Sequence, residues 1–299
     1  MNVLCDNHLS GESWIAYNGD CVEVVSQLPD SSIDFSIYSP PFMSLFVYSD
    51  SERDMGNNAS DEEFFAHYEF LIAEKFRVTR PGRLSAVHCT DLPRTKWRDG
   101  VVGLKDFPGR IIAAHEKAGW VYHGRVTIWR CPVVEMTRTK ALGLLYKQLK
   151  KDSARSRPGL ADYLLIFRKD GENERPVSHE AEEFPVEQWQ EWASPVWMTV
   201  RQTRTLNVAM AREEKDERHL CPLQLDVIER ALVLWSNPGD VVLSPFMGIG
   251  SEGVEALKRK RRFVGVELKD SYFRQAGKFL AEAEREAQAP DLLSLMGAA

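Results

Sequence analysis

Short apolar runs alternate along the chain with segments whose apolar positions recur at helical spacing. The runs are bounded by turn residues and predict strands at 13–17, 33–38, 84–89, 122–129, 163–167, 241–243 and 263–266. The segments between them predict helices at 22–28, 60–76, 111–117 and 222–235, a helix ending near residue 260 and a long C-terminal helix. Strands that alternate with helices are typical of an α/β protein with a largely parallel sheet.

A glycine-rich turn lies between the strand predicted at 241–243 and the helix that follows it. Gly248, Gly250 and Gly253 have the spacing G-x-G-x-x-G, and such glycines let the backbone approach a ligand. The next predicted strand ends at Glu267, 17 residues after Gly250. An acid about 20 residues further on is the one expected to bind ribose hydroxyls. This context predicts a site for an adenosine-containing ligand, and the alternative is a tight turn in an ordinary α/β protein.

The position of this turn late in the chain limits the choice of ligand. A dinucleotide-binding protein usually has two nucleotide-binding halves after the turn, whereas only one strand and one helix follow here. The sheet must therefore be completed by strands from earlier in the chain. The C-terminal helix would lead naturally into the strand at 13–17, as if the chain ends had been cut and rejoined elsewhere.

The sequence Ser39-Pro40-Pro41-Phe42 follows the predicted strand at 33–38. Two prolines end the strand and make a stiff turn, because proline fixes φ and has no N–H to donate. A hydroxyl precedes the turn and an aromatic ring follows it. Rigid acceptors beside a flat apolar face suit an aromatic amine, although a strand that ends in a Pro-Pro turn with a core Phe is an equal alternative on these four residues alone.

Composition narrows the class of protein only slightly. The 299 residues are 43% hydrophobic, which allows one large domain or two small ones. No apolar run approaches ~20 residues and no signal pattern opens the chain, so we expect a soluble, cytosolic protein. The five cysteines are far apart, so neither a zinc site nor a disulfide framework is indicated.

One segment is strongly basic in a chain of net charge −6. It is a candidate DNA-binding surface, and its alternative is a solvated helix face. Its cationic residues are Arg138, Lys140, Lys147, Lys150, Lys151, Arg155 and Arg157.

In this permuted order the sequence resembles the amino-methylating DNA methyltransferases of the β class, whose catalytic segment precedes the cofactor segment. The resemblance covers most of the chain. Residues 39–42 match the family's motif of Asp, Asn or Ser followed by Pro-Pro and an aromatic, and residues 246–250 match its F-x-G-x-G loop. Residues 18–20 match its Gly-Asp element. Many members have Asp where Ser244 stands, which puts one polar contact near the cofactor in doubt.

The resemblance implies a permuted Rossmann-like fold that binds S-adenosylmethionine. Phe246, Gly248 and Gly250 would line the cofactor. Glu267 would take the ribose hydroxyls, and Asp20 the adenine amine. One domain would span residues 1–299, with target-recognition insertions within 131–215, basic at 138–158 and aromatic and polar at 171–215. The layout also resembles stand-alone methyltransferases of phages and prophages, which implies the cytoplasm of a bacterial host.

The same resemblance implies how the motif at 39–42 would act on double-stranded DNA. Ser39 Oγ and the Pro40 carbonyl would hold the two N–H bonds of an exocyclic amine, and Phe42 would stack on the flipped base. No metal is needed, and a homodimer is one expectation for the oligomeric state. The C5 route to methylcytosine is disfavoured, because in the family that uses it the nucleophilic cysteine follows a proline, and none does here.

The sequence does not decide between two target amines, and it leaves two interpretations for several histidines and tryptophans. Ser39 favours cytosine N4, whereas Asp at this position goes mostly with adenine N6. There are two other hypotheses. One is an enzyme that acts on RNA or on a protein amide, and the other is a non-catalytic DNA-binding protein of the same fold. Structural roles are expected for His88, His123 and His219, because this chemistry needs no imidazole base, and packing roles for Trp189, Trp192 and Trp197.

Overall fold

The protein is described by a computed structural model that covers residues 5, 7–42, 55–58, 60–139, 146–180, 182–207 and 222–289, without the side chains of 57, 98, 137–139 and 155. Its strands are β1 Asn7–Ser10, β2 Trp14–Asn18, β3 Ile33–Tyr38, β4 Thr79–Thr90, β5 Leu92–Arg94, β6 Gly103–Lys105, β7 Val121–Ile128, β8 Asp162–Arg168, β9 Val196–Trp197, β10 Val241–Ser244 and β11 Arg262–Glu267. Its α-helices are α1 Cys21–Ser26, α2 Asp61–Val78, α3 Lys96–Asp99, α4 Phe107–Lys117, α5 Pro132–Thr139, α6 Tyr146–Leu149, α7 Val186–Trp192, α8 Leu225–Trp235, α9 Ser251–Lys258 and α10 Asp270–Gln288.

Nine of these strands form one sheet in the order β1-β2-β11-β10-β3-β4-β8-β7-β9. The five from β2 to β4 in that order are parallel neighbours, and β8 runs antiparallel to β4 and β7. The predicted permuted α/β fold is confirmed, because β11 near the end of the chain pairs with β2 near its start. Their register places Glu267 opposite Asn18.

Helices cover both faces of the sheet and divide the hydrophobic core in two. On one face α8, α9 and α10 bury residues such as Val227, Val254 and Phe273. On the other face α1, α2 and α4 bury Val25, Leu71 and other apolar side chains. This arrangement is the three-layer solution for a sheet whose strands are apolar on both sides.

Several short elements differ from the predicted ones. No element is predicted before residue 13, where the structure has β1, or within 171–215, where it has α7 and β9. These elements are short and largely exposed, so they lack the apolar periodicity on which the prediction rests. The helix predicted from residue 222 begins at Leu225 because Gln224 is its N-cap, in extended conformation.

The carboxyl ends of β2, β3, β4, β7, β10 and β11 lie along one edge of the sheet, because these strands run in the same direction. Ligands of open α/β sheets bind outside this edge. The motif at 39–42 and the glycine turn both leave the sheet there. The chain between β7 and β8, which holds the basic segment, starts and ends at the same edge.

No helix in the described part of the chain is long and apolar enough to cross a membrane.

Candidate active site

The glycine turn requires glycine at three positions, at two of them because of a positive φ angle and at the third because two helices pack closely. Gly248 has φ +53° and Gly250 has φ +92°, a region that side chains other than glycine rarely adopt. Gly250 is also the N-cap of α9. At Gly253 a Cβ would lie 2.4 Å from Leu280 Cδ2, so only glycine lets α9 approach α10 this closely. The space beside Gly248 is open, which leaves room for a ligand against the backbone.

Glu267 joins the glycine turn to the segment that carries Asp20. Its Oε2 accepts a hydrogen bond from Gly248 N at 2.9 Å, and its Oε1 accepts one from Lys269 N at 2.8 Å. Its carbonyl accepts from Asn18 Nδ2 at 2.9 Å and from Gly19 N at 3.1 Å. A carboxylate can accept several hydrogen bonds at once, so Glu267 can bind ligand hydroxyls as well as backbone N–H groups. The structure thus brings together the cofactor residues that the sequence predicts.

Asp20 has a structural role in addition to the predicted contact with adenine. It is the N-cap of α1, and its Oδ1 accepts hydrogen bonds from Val22 N at 2.8 Å and Glu23 N at 3.0 Å. The side chain is half-buried. The predicted contact with an adenine amine would therefore fall to its other oxygen, Oδ2.

Two buried hydroxyls beside the glycine turn have no hydrogen-bond partner in the described part of the chain. They are Ser244 Oγ, at the end of β10, and Ser251 Oγ, at the start of α9. Buried polar groups are rarely left unpaired, so an unpaired one indicates a partner that is absent from the structure. A polar ligand seated on the turn would supply the missing partners. The open space, the carboxylate and these hydroxyls fit the polar parts of S-adenosylmethionine.

A buried carboxyl close to the turn has a raised pKa. Burial raises the pKa of Glu252 to about 8, and the nearby Glu267 adds to the shift. Glu252 lies in the first turn of α9. A charged carboxylate would have been favoured by the helix dipole, so burial outweighs that effect here.

The catalytic motif predicted at 39–42 follows β3 directly. Pro40 is buried, whereas Ser39, Pro41 and Phe42 are half-buried. The Phe42 ring packs edge-on against Phe107 at 6.1 Å, and its predicted stacking on a base stays a prediction.

Tyr38, the residue before the motif, connects it with the cofactor loop and with a buried polar network. Its ring lies 5.8 Å from that of Phe246, so the two predicted half-sites are in contact. Its hydroxyl lies 2.7 Å from that of Tyr68 and accepts a hydrogen bond from Lys75 Nζ at 2.6 Å. Burial lowers the pKa of Lys75 well below its usual value. Lys75 lies on the face of α2 that the sequence predicts to be apolar, and its burial was not predicted.

Ser39 lies at one end of a row of polar groups. Its Oγ is 3.2 Å from His88 Nδ1 and 3.4 Å from the His88 carbonyl oxygen. His88 Nε2 lies 3.2 Å from Asp162 Oδ2, and Arg130 Nε lies 2.6 Å from the same oxygen. Sequence reasoning missed this row, because its members are far apart in the chain and no local motif links them.

The basic segment presents three lysines to solvent at the edge that carries the motif. Lys147, Lys150 and Lys151 are exposed. Arg157 instead makes two contacts with the buried Glu135, at 2.9 and 3.3 Å. Lys140 and the side chains of Arg138 and Arg155 lie outside the described residues.

The three tryptophans expected to pack do so to different degrees. Trp197 is buried, and its Nε1 donates to the Trp192 carbonyl at 2.9 Å. Trp189 is 52% exposed, so packing does not account for it. Of the histidines, His123 is exposed on β7 and His219 lies outside the described residues. In the part of the chain that the structure covers, no group of three potential metal ligands is found.

Comparison with known proteins gives consistent results. The family model described as DNA methylase matches residues 33–278. The type II methyltransferase M.MjaI of Methanocaldococcus jannaschii is 26% identical over 277 residues, covering 83% of this chain and 84% of that protein.

Two solved structures share the fold along nearly the whole chain. The DNA modification methylase TTHA0409 of Thermus thermophilus, solved with S-adenosyl-L-methionine, matches with a TM-score of 0.68 at 22% identity, covering 90% of this chain and 93% of that one. The PvuII DNA methyltransferase, described as cytosine-N4-specific, matches with a TM-score of 0.64 at 16% identity, covering 93% of each chain. With the permuted sheet, the glycine turn and the Ser-Pro-Pro-Phe motif in place, the chain belongs to the DNA methylase family and is an S-adenosylmethionine-dependent DNA amino-methyltransferase of the N4-cytosine/N6-adenine type.

Proposed function

We propose that this methyltransferase acts on the N4 amine of cytosine in double-stranded DNA and that Ser39 holds the reacting amine. The observation that carries the proposal is the place of the Ser39 hydroxyl at the carboxyl edge of the sheet. Tyr38, the residue before it, contacts Phe246 of the glycine turn. A base bound at Ser39 would therefore lie beside a cofactor bound at the turn.

The cofactor supplies an electrophilic methyl group when it is bound. Phe246, Gly248 and Gly250 would line its site, and Glu267 would accept hydrogen bonds from the ribose hydroxyls. Glu267 is suited to this role because its carboxylate is already held by two backbone N–H groups. Asp20 would bind the adenine amine through Oδ2.

An exocyclic amine on a base is a poor nucleophile, because its lone pair is delocalised into the ring. Acceptors at Ser39 Oγ and the Pro40 carbonyl would hold both N–H bonds and favour a pyramidal nitrogen. The lone pair is then free to attack, and the acceptors stabilise the positive charge that develops on nitrogen. Catalysis of this kind rests on positioning and electrostatic stabilisation.

DNA would be bound at the same edge of the sheet. The target base must leave the duplex to reach Ser39, and Phe42 would stack on it there. Lys147, Lys150 and Lys151 are exposed on the chain segment between β7 and β8, where they could neutralise phosphates. Roles in DNA binding for Arg138, Lys140, Arg155 and Arg157 remain predictions, and for Arg157 the ion pair with Glu135 favours a structural role.

The choice of cytosine rests on the residue that opens the motif. Ser39 offers a neutral hydroxyl, whereas the Asp of related motifs offers a charged acceptor and goes mostly with adenine. The family includes methylation of both amines, so membership does not decide between them. A hydroxyl can also donate to a ring nitrogen, which keeps adenine N6 as the alternative target.

Mass spectrometry of nucleosides from treated DNA tests the proposal. Duplex DNA of varied sequence is incubated with the protein and labelled S-adenosylmethionine, and then digested. We expect N4-methylcytosine. N6-methyladenine as the sole product would assign the enzyme to the other amine. RNA and protein pools receive the same label as controls, and we expect no transfer to either.

Three further expectations stay predictions. They are a single domain over residues 1–299 with recognition insertions within 131–215, a homodimer, and a place in the cytoplasm of a bacterial host cell.

A further inference from the structure

The row formed by Ser39, His88 and Asp162 crosses three neighbouring strands. Ser39 follows β3, His88 lies near the end of β4, and Asp162 begins β8. The His88 and Asp162 side chains are 7% and 1% exposed, so bulk water cannot replace their contacts. Arg130, just after β7, contacts the Asp162 carboxylate from the next strand in the sheet.

Ser39 Oγ lies beside two possible acceptors for its hydrogen. In the described part of the chain these acceptors are His88 Nδ1 at 3.2 Å and the His88 carbonyl oxygen at 3.4 Å. The carbonyl oxygen can accept the hydrogen in either tautomer of the ring. Nδ1 can accept it when Nδ1 carries no proton. The lone pairs of Oγ are then left for an N–H donor of the base.

We propose that His88 and Asp162 are positioning residues that strengthen Ser39 as a hydrogen-bond acceptor and take up, through Ser39, the proton that the amine loses. The proposal rests on the proposed role of Ser39 as the acceptor of the amine. It explains how a neutral hydroxyl can hold the amine at a position where related motifs have an ionised Asp.

The proton balance of the step is simple. A methylated amine carries one proton more than the neutral product, so one N–H bond must break. That proton passes to Ser39 Oγ while the Ser39 O–H bond breaks and its proton binds His88 Nδ1. The positive charge thereby moves from the base nitrogen to the imidazole ring, and the serine is restored to a neutral hydroxyl. Release of the proton to solvent completes the cycle.

Asp162 faces the nitrogen that would carry the other imidazole proton. A carboxylate at this place holds the ring in one tautomer and stabilises the imidazolium that forms. In the described part of the chain, Asp162 is the charged group within ion-pair distance of His88, and Arg130 lies behind it on the same oxygen. In the described residues, His88 Nε2 and both Asp162 oxygens lack a hydrogen bond of good geometry, so the 3.2 Å contact between Nε2 and Oδ2 becomes a hydrogen bond only when the two side chains reorient.

The first test measures single-turnover methylation by His88→Asn over a range of pH. Asn places an amide near Nδ1 and can orient Ser39, but it cannot take up a proton. We expect the rate to fall by at least about tenfold with unchanged affinity for S-adenosylmethionine, as for loss of a proton acceptor. We also expect the wild-type rate to fall on the acid side and the variant rate to be flat. His88→Ala should recover activity when imidazole is added.

A matched control and a double variant separate this role from a structural one. His123→Asn changes an exposed histidine on β7 and should leave the rate unchanged. In a Ser39→Ala background, His88→Asn should cause no further loss, because the two residues act as a unit. A His88→Asn enzyme with the wild-type rate and pH profile would overturn the proposal.

The second test needs no methyl transfer. Nitrogen-15 NMR of the His88 ring should show an unprotonated Nδ1 and a protonated Nε2, and Asp162→Asn should shift the Nε2 resonance. A ring protonated at Nδ1 in the wild type would overturn the proposal. If the wild-type enzyme methylates no exocyclic amine, the proposed function fails instead, and the NMR result still decides whether the row exists.

Discussion

Glu267 illustrates how single residues here combine structural and ligand-binding contacts. Its carboxylate holds the backbone of Gly248 and Lys269, and its carbonyl holds Asn18 and Gly19. The glycine turn and the Asp20 segment therefore depend on the same residue. Loss of its side chain should disturb the cofactor site much more than the core.

Replacing Glu267 with Ala should weaken S-adenosylmethionine binding by about tenfold or more. The reason is that hydrogen bonds to a charged group contribute roughly 1.5–3 kcal/mol each, and the variant can make neither the bond to Gly248 nor those to the ribose. Calorimetric titration measures the affinity, with Glu282→Ala, an exposed position on α10, as the control. Unchanged affinity in a folded Glu267→Ala variant would remove this residue from the site.

Glu252 should make stability fall as the pH rises. Its pKa is raised from 4.5 to about 8 in the folded protein, so the native state binds more protons than the unfolded state between these values. The free energy of unfolding therefore decreases across this window, by up to about 1.4 kcal/mol per pH unit from this group. The amide of Glu252→Gln does not titrate, so this variant should lose less stability over the same pH range.

Urea denaturation at a series of pH values checks this expectation. Wild type and Glu252→Gln should differ little below pH 4.5, where both side chains are neutral, and should diverge steadily towards pH 8. Glu282→Gln, at an exposed position, should follow the wild type throughout. Parallel curves for wild type and Glu252→Gln would mean that the buried carboxyl keeps its charge.

The residues of the site could be predicted wherever they belong to one short stretch of sequence. The glycine spacing and the motif at 39–42 are local, so the chain order of residue types was enough to find them. His88 and Ser39 are 49 residues apart and meet only because β3 and β4 are neighbours. Lys75 was missed for a different reason, since its polar partners Tyr38 and Ser85 come from the sheet and not from its own helix.

At the scale of elements, length and burial decided what the sequence could predict. The buried central strands carry apolar runs that give a strong pattern, whereas β5 and β6 have three residues each and α7 is short and exposed. Such elements are held by their neighbours. For example, Lys105 of β6 binds Asp61 at the start of α2 at 2.8 Å, a contact that no periodicity indicates.

The basic segment should act as a phosphate-binding element and not as part of the catalytic machinery. Replacing Lys147, Lys150 and Lys151 with Gln should weaken binding to all DNA sequences alike. Each phosphate interaction that the substitutions remove should reduce the slope of log K against log salt by ~0.9. Fluorescence anisotropy over a salt series measures the slope, and the affinity for S-adenosylmethionine should not change.

A matched triple variant controls for net charge. Lys258, Lys260 and Lys278 are exposed on or next to α9 and α10, with the first two at the opposite edge of the sheet. Their replacement with Gln removes the same charge and should leave the salt slope close to that of the wild type. Equal slopes for the two triple variants and the wild type would show that the segment is a solvated face.

At the scale of the whole molecule, the permuted order of segments is compatible with one continuous sheet. The last strand pairs with β2, and the C-terminal helix packs on the first segments of the chain. Ser13 N donates to Glu284 Oε1 at 2.7 Å, and Gln288 Nε2 donates to Glu12 Oε2 at 2.8 Å. The end of α10 therefore lies next to the start of β2, and the cofactor site is built across this junction by Asn18 and Glu267.

The order of the catalytic segment and the cofactor segment along the chain should have little effect on the fold. A circular permutant that joins the chain ends with a flexible linker and opens the chain between Glu182 and Glu183, two exposed residues, would place the cofactor segment before the catalytic motif. The contacts between β2, β11 and α10 are preserved, so we expect the same circular dichroism spectrum. S-adenosylmethionine affinity should stay within about tenfold of the wild type, since a new break in an exposed loop removes few buried contacts.

Calorimetry and thermal denaturation of the permutant decide the matter. Retained affinity with a modest loss of thermal stability would show that the site depends on the packing of β2 against β11 and not on the order of the segments. A folded permutant that does not bind S-adenosylmethionine would contradict this view.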